Sequence, residues 1–265
     1  MMSETESAPD ALYVYGLLAD ASAFTDTDFL GQGVSGRPVR LLPATGVTSE
    51  MIALVSDIPA GPVAQTRRNM VAHTAVLERA MALANVLPVR FGTVAPNWAA
   101  LAGCIKTNAT AMRTALREIE GRVELGVKAS WREGVVFSEI VAGDSELSRM
   151  RDRLRSRPAS ETYYERVELG RRVEAALAER RASEAAAILA ALAPLAEREA
   201  ELRALDEDMI MNRAFLVRRE NEPLFDARMQ SVAERYAERV NFRYVGPVPP
   251  YNFVRLQAGW LTGPN

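Results

Sequence analysis

Reactive side chains are scarce in this chain. Its 265 residues include one cysteine, one histidine and two lysines. Cys104 has no second thiol to pair with, so no internal disulfide can form, which fits a reducing compartment. It falls in a helical segment, where a small buried hydrophobe is its expected role. With Cys104 and His73 as the whole supply, a zinc site built from several Cys or His ligands is excluded. A Ser-His-Asp triad would have to use His73, and no nucleophile-elbow sequence accompanies it. Long apolar runs are missing too; none approaches the roughly 18 residues of a membrane span. Residues 1–10 are polar and acidic, with neither a basic nor an apolar leader pattern. A cytoplasmic protein with a disordered stretch over 1–10 is the expectation.

What remains is ordinary globular composition, 48% apolar and 25% charged. The length is comfortable for two domains, and a sizeable core needs no metal or disulfide. A net charge of −2 argues against a general nucleic-acid binder. The basic residues are nearly all arginine, Lys106 and Lys128 being the only lysines.

Patterning divides the chain into an N-terminal α+β domain over 11–121 and a C-terminal α+β domain with long helices over 122–265. Residues 11–18 read as a strand with Tyr13 and Tyr15 on one face, and 19–36 as loop. Residues 39–42 and 46–58 read as a strand pair. The segment 66–83 is helical, with Met70, His73 and Leu77 on one stripe. Residues 86–94 form a strand, and Pro88 places it at a sheet edge or a strand start. From Asn97 to Gly121, Trp98, Leu101, Ile105, Ala109, Met112, Leu116 and Ile119 recur at helical spacing. This interleaving implies a ferredoxin-like first domain.

In the second half, Val123, Leu125, Val127, Ala129 and Trp131 alternate along a long strand, and 135–141 is an apolar run that could extend or pair with it. Arginines 149, 151, 153, 155 and 157 lie on a charged helix, read either as a solvated face or as a contact for an acidic partner. Residues 160–203 are rich in helix formers, a helical hairpin or arm that Pro194 should kink or break. A strand over 209–217, a helix from Glu222, a strand over 241–245 and an extended proline-rich tail complete the reading.

Letter matches to chemical motifs fail on context. Gly31-Gln32-Gly33-Val34-Ser35-Gly36 fits G-x-G-x-x-G, but a loop precedes it and Arg37-Pro38 leads into a strand. His73 sits on an apolar stripe and reads as a hydrogen-bonded core histidine. Asp26-Thr27-Asp28 and Asp206-Glu207-Asp208 lack the EF-hand pattern and read as surface. No catalytic, cofactor-binding or metal residue is assigned.

Three stretches carry a family likeness. Leu87-Pro88-Val89-Arg90-Phe91-Gly92-Thr93, Ala214-Phe215-Leu216-Val217 and Val245-Gly246-Pro247-Val248-Pro249-Pro250-Tyr251-Asn252-Phe253 occur in the order of the GvpF/GvpL family of gas-vesicle accessory proteins. The chain resembles that family from Leu12 to Leu256, with Val248 where the family motif carries an aromatic residue. The resemblance implies a two-domain α+β protein with a ferredoxin-like first domain. It implies a non-enzymatic assembly factor and minor vesicle component, with no cofactor and no nucleic-acid or membrane partner. The implied partner is the hydrophobic shell protein GvpA, with other gas-vesicle accessory proteins as further candidates. Pro88, Arg90, Phe91, Gly246, Pro247, Pro249, Pro250, Tyr251 and Phe253 are then candidates either for partner contact or for locking the domain packing. The alternative is a small-ligand sensor or enzyme built on ferredoxin-like domains.

Overall fold

Strand β1 (Asp10–Leu18) has two apolar faces, and each is covered. Ala11, Tyr13 and Tyr15 join one buried cluster, Leu12 and Val14 the other. A bulge between Val14 and Gly16 shifts the phase, so Leu17 joins Val14's cluster and Leu18 joins Tyr15's. The computed structural model describes residues 10–24, 30–43 and 51–254. Of the disorder expected over 1–10, Asp10 instead opens β1, and residues 1–9, the Asp26-Thr27-Asp28 cluster and the proposed strand start at 46–50 lie outside the described residues. The chain divides into two compact units, Met1–Glu124 with Pro247–Asn265, and Leu125–Gly246. The first break falls close to the boundary expected after Gly121. The tail from Pro247, placed with the C-terminal domain by the sequence reading, groups with the first unit.

In the first unit, β1 is followed by β2 (Arg40–Pro43), β3 (Ile52–Pro59), α1 (Arg67–Leu83), β4 (Val86–Pro88), β5 (Val94–Ala95) and α2 (Trp98–Ile119). The sheet order is β2-β3-β1-β4, with β5 also on β1, and every pair is antiparallel. That is the ferredoxin-like order, with β4 at the edge as Pro88 allows. A loop with a 3-10 turn at Val34–Gly36 takes the place of the first crossover helix. Val76, Leu77 and Ala80 of α1 cover Tyr15's face, and Leu101, Ile105, Met112 and Leu116 of α2 cover the other. Burying each such leucine or isoleucine is worth about 1.5–3 kcal/mol. Thr66 and Asn97 cap the two helices, accepting the N–H of Asn69 and Ala100.

The expected 86–94 strand is two short strands separated by a turn. Thr93 donates both its N–H and its hydroxyl to the Arg90 carbonyl, and Gly92 takes φ +87. Only glycine holds that backbone cheaply.

The second unit contains β6 (Arg122–Trp131), α3 (Val135–Gly143), α4 (Ser145–Arg155), α5 (Tyr163–Leu192), β7 (Arg198–Glu201), β8 (Met209–Arg218), α6 (Glu222–Arg235) and β9 (Val240–Val248). Its sheet order, β7-β8-β6-β9, reproduces the first sheet's order strand for strand. The sequence shows no repeat because the crossovers differ: three helices stand where the first unit has a loop.

Two elements differ from expectation. The 135–141 run is helix α3, burying Val136, Ile140 and Val141 at helical spacing. Residues 198–201 form strand β7, not the end of the helical arm. Pro194 sits in a 3-10 turn that ends α5, and β7 pairs with β8 from Arg198↔Leu216 to Glu201↔Arg213. Glu199 and Glu201 both meet Arg213, so cross-strand ion pairs hold a segment whose composition favours helix.

Candidate functional site

Two of the three family-like stretches meet at His73. The ring is 2% exposed on α1. Its Nε2 lies 3.1 Å from the Val89 carbonyl, which can only accept, so Nε2 carries the hydrogen. Nδ1 is therefore the acceptor, and the Tyr13 hydroxyl donates to it at 2.8 Å. The Tyr13 oxygen in turn accepts the Gly92 N–H at 3.1 Å. One tautomer satisfies every group in this chain of bonds. Phe91 packs edge-on to His73 and Tyr251 stacks on it, with centroids 5.7 and 6.3 Å away.

A second chain of bonds runs beside it from Tyr15. The Ser56 hydroxyl donates to the Pro38 carbonyl, so Tyr15 must donate to Ser56 Oγ, 2.9 Å away. The Tyr15 oxygen also accepts the Val34 N–H at 2.8 Å. This gives the glycine-rich 31–36 stretch its role. Gly33 passes so close to the Tyr15 hydroxyl that no side chain fits, and the Ser35 N–H is taken by Asn69. The loop's N–H groups serve the protein, not a phosphate.

The tail is anchored by a buried carboxylate. Glu124 accepts the Asn252 N–H at 2.9 Å and its side-chain amide at 2.6 Å. Burial raises the Glu124 pKa, and the two Asn252 bonds partly offset that. Pro249, Pro250 and Phe253 are buried, while Gly246 and Pro247 are exposed. The tail turns sharply, with Tyr251 N–H to the Pro249 carbonyl and Phe253 N–H to the Pro250 carbonyl. It is a tight turn after β9, where an extended polyproline-like run was expected.

Of the sequence's candidates, Pro88, Phe91, Pro249, Pro250, Tyr251 and Phe253 thus belong to the packed interior of the first unit or its margin. Arg90 does not. Its side chain is exposed and has no partner among the described residues, while its carbonyl is pinned by Thr93. Tyr13, Ser56, Glu124 and Asn252 were missed as site residues. Two tyrosines on one buried strand face, each needing a partner for its hydroxyl, were the available signal for the first two.

Both His73 nitrogens are engaged within the protein, Nδ1 with the Tyr13 hydroxyl and Nε2 with the Val89 carbonyl. Burial holds the His73 pKa down at about 4, and the Val89 bond only partly offsets this. Burial also raises the Tyr13, Tyr15 and Tyr251 hydroxyls above their ordinary value. Cys104 is pushed up to about 11 by burial, so its thiol is a poor nucleophile. Among the described residues no group of three or more His, Cys, Asp or Glu could hold a metal ion. No helix among them is long and apolar enough to cross a membrane.

The His73 environment predicts acid sensitivity. Unfolded, His73 protonates near 6.5; folded, only near 4. Between those values the unfolded state binds the extra proton, so stability falls as pH drops, by about 3 kcal/mol in all. Glu124, with its raised pKa, acts in the opposite direction. Denaturant midpoints at pH 7 and pH 4.5 should therefore separate more for the wild type than for His73→Gln. Equal separations would show that His73 is not the sensitive group.

A second buried network lies in the second unit. Glu184 on α5 accepts the Trp131 indole N–H at 2.7 Å and the Arg239 guanidinium at 2.7 Å. Arg239 also donates two bonds of 2.6 Å to Glu139 on α3. Sequence reasoning gave no signal for it, because the partners come from separate elements.

Comparison with known proteins agrees with the fold. The family model for gas vesicle synthesis protein GvpL/GvpF matches residues 11–255. Gas vesicle protein F of Nostoc sp. PCC 7120 is 29% identical over 92% of this chain and 98% of its own. Gas vesicle protein F of Streptomyces sp. CB03234 is 33% identical over 91% and 98%. The crystal structure of GvpF from Anabaena sp. PCC7120 superposes with a TM-score of 0.80 at 28% identity, covering 94% of this chain and 99% of that one. From residue 11 to residue 255, then, this chain belongs to the GvpL/GvpF family of gas vesicle synthesis proteins.

Proposed function

We propose that the chain is a non-enzymatic, cytoplasmic assembly factor for gas vesicles. It binds the hydrophobic shell protein GvpA during nucleation, limits its aggregation, and stays as a minor vesicle component. The observation that carries this reading is the contrast within the Leu87–Thr93 stretch. Pro88 and Leu87 are buried and Phe91 is half-buried, yet Arg90 is exposed on a turn fixed by Thr93 and Gly92, with no partner among the described residues. An exposed guanidinium on a fixed turn is available to an external carboxylate or carbonyl. Strand addition at the neighbouring edge is the weaker route, since β4 has three residues and Pro88 lacks a donor. Shell subunits with a dry face would otherwise associate with one another in water.

The experiment is a pull-down of purified GvpA by the full chain, by Arg90→Ala, and by a chain lacking 246–265. The wild type should retain GvpA at micromolar concentration, and Arg90→Ala should weaken binding about tenfold, the loss of one charged contact. Failure of the wild type to bind GvpA would overturn the reading.

A further inference from the structure

The arginine-rich stretch of the second unit has a surface of its own. Residues 149–157 hold five arginines against one aspartate, a local charge of +4 in a chain of net −2. Arg151 pairs with Asp152 and Arg157 with Glu165. Arg149, Arg153 and Arg155 are exposed, and no carboxylate partners them among the described residues. Leu147 and Leu154 turn inward, so Arg149 and Arg153, one helical turn apart, share an outward face of α4. With Met150, Glu146 and Asp152 of α4 and Arg172 of α5, which pairs with Glu146 and Glu168, they line an open groove.

An exposed aromatic pair lies at the start of α5. Tyr163 and Tyr164 open α5 and are 65% and 85% exposed, their rings edge-to-face at 5.4 Å. Val167, one turn on, is also exposed. Arg166 ties this end of α5 to the end of α4 by donating to the carbonyls of Leu154 and Arg157. The exposed tyrosines thus open the helix whose start is bonded to the end of α4, the helix that carries Arg149, Arg153 and Arg155.

We propose that this α4–α5 surface docks an acidic segment of a partner protein, with aliphatic side chains beside its carboxylates. Guanidinium forks match carboxylates in pairs, and tyrosines supply amphipathic anchoring area at low entropy cost. The carboxylates decide between a segment and an extended anionic surface. Glu146 and Asp152 line the groove beside the cations, and Glu161 and Glu165 are exposed near the start of α5. They would repel a flat anionic bilayer or a nucleic-acid backbone, whereas a narrow peptide can lie between them. This inference goes beyond the shell-protein reading and stands whether or not GvpA meets the Arg90 turn.

The test uses the full chain and fluorescein-labelled peptides, measured by anisotropy. One repeats Glu-Leu-Glu-Glu-Leu; a control has lysine for each glutamate and another glutamate for each leucine. The Glu-Leu peptide should bind with a Kd of about 10 µM, weakening as salt rises. The triple variant Arg149→Glu, Arg153→Glu, Arg155→Glu should weaken it at least about tenfold, and Tyr163→Ser with Tyr164→Ser about fivefold. All five positions are exposed, and far-UV circular dichroism confirms that the variants fold. No binding at about 100 µM, or equal binding by the triple variant, would overturn the proposal. So would binding of the lysine peptide, equal binding of the all-glutamate peptide, or capture only by vesicles with about 30% phosphatidylglycerol.

Discussion

Gly33→Ala should cost the first unit about 3–5 kcal/mol, a large effect for one methyl group. A Cβ built on Gly33 would lie 1.9 Å from the Tyr15 hydroxyl oxygen and 2.8 Å from its ring carbon. The backbone at Gly33 is extended, with φ −92, so the strain is wholly steric. Tyr15 is fully buried and cannot swing into solvent. Moving it breaks its bonds to Ser56 and to the Val34 N–H, and it disturbs the Tyr13 ring 4.8 Å away. Each buried polar group left without a partner costs about 1–3 kcal/mol, and overpacking adds a similar amount. Urea unfolding of the variant should show a lowered midpoint. The double variant Gly33→Ala with Tyr15→Phe should recover part of the loss, because the clashing oxygen is gone.

Arg239→Met should destabilise the second unit by about 3–5 kcal/mol. The side chain length is kept, so packing loss is small. What changes is Glu184, 6% exposed, which keeps its Trp131 bond but loses its close cation. Arg180 remains 3.8 Å away on the same helix, too far to replace a 2.7 Å contact. Glu139 also loses both its bonds. A second change, Glu184→Leu, removes the stranded carboxylate and should be less harmful with Arg239→Met than the single change predicts. A double-mutant cycle by thermal unfolding reads this directly. Additive losses would show that the pair is not coupled.

How far the sequence revealed this depends on where each signal resides. Helix α2 was legible because its buried residues recur every three or four positions, and β6 because five apolar residues alternate. Helix α3 was not, since a short apolar run has no period to distinguish helix from strand. Strand β7 was hidden by its composition: Arg198-Glu-Ala-Glu201 favours helix until β8 supplies backbone partners and Arg213. The edge position of β4 was one of the two placements, sheet edge or strand start, that Pro88 allowed. Within the site, the motifs marked Phe91 and Tyr251 but not that His73 lies between them. That meeting depends on α1 crossing the sheet, and nothing local to either motif records it. For Arg90 the sequence allowed either partner contact or a place in the domain packing.

The central claim is that Arg90 acts by contact while the residues around it act by structure. The measurement that tests it most directly is light scattering of GvpA diluted into buffer with the full chain or with Arg90→Ala, alongside each protein's melting midpoint. The account predicts equal midpoints, suppressed scattering with the wild type and restored scattering with the variant. Equal suppression by both proteins would contradict it, as would a lowered midpoint that alone accounts for the variant's loss.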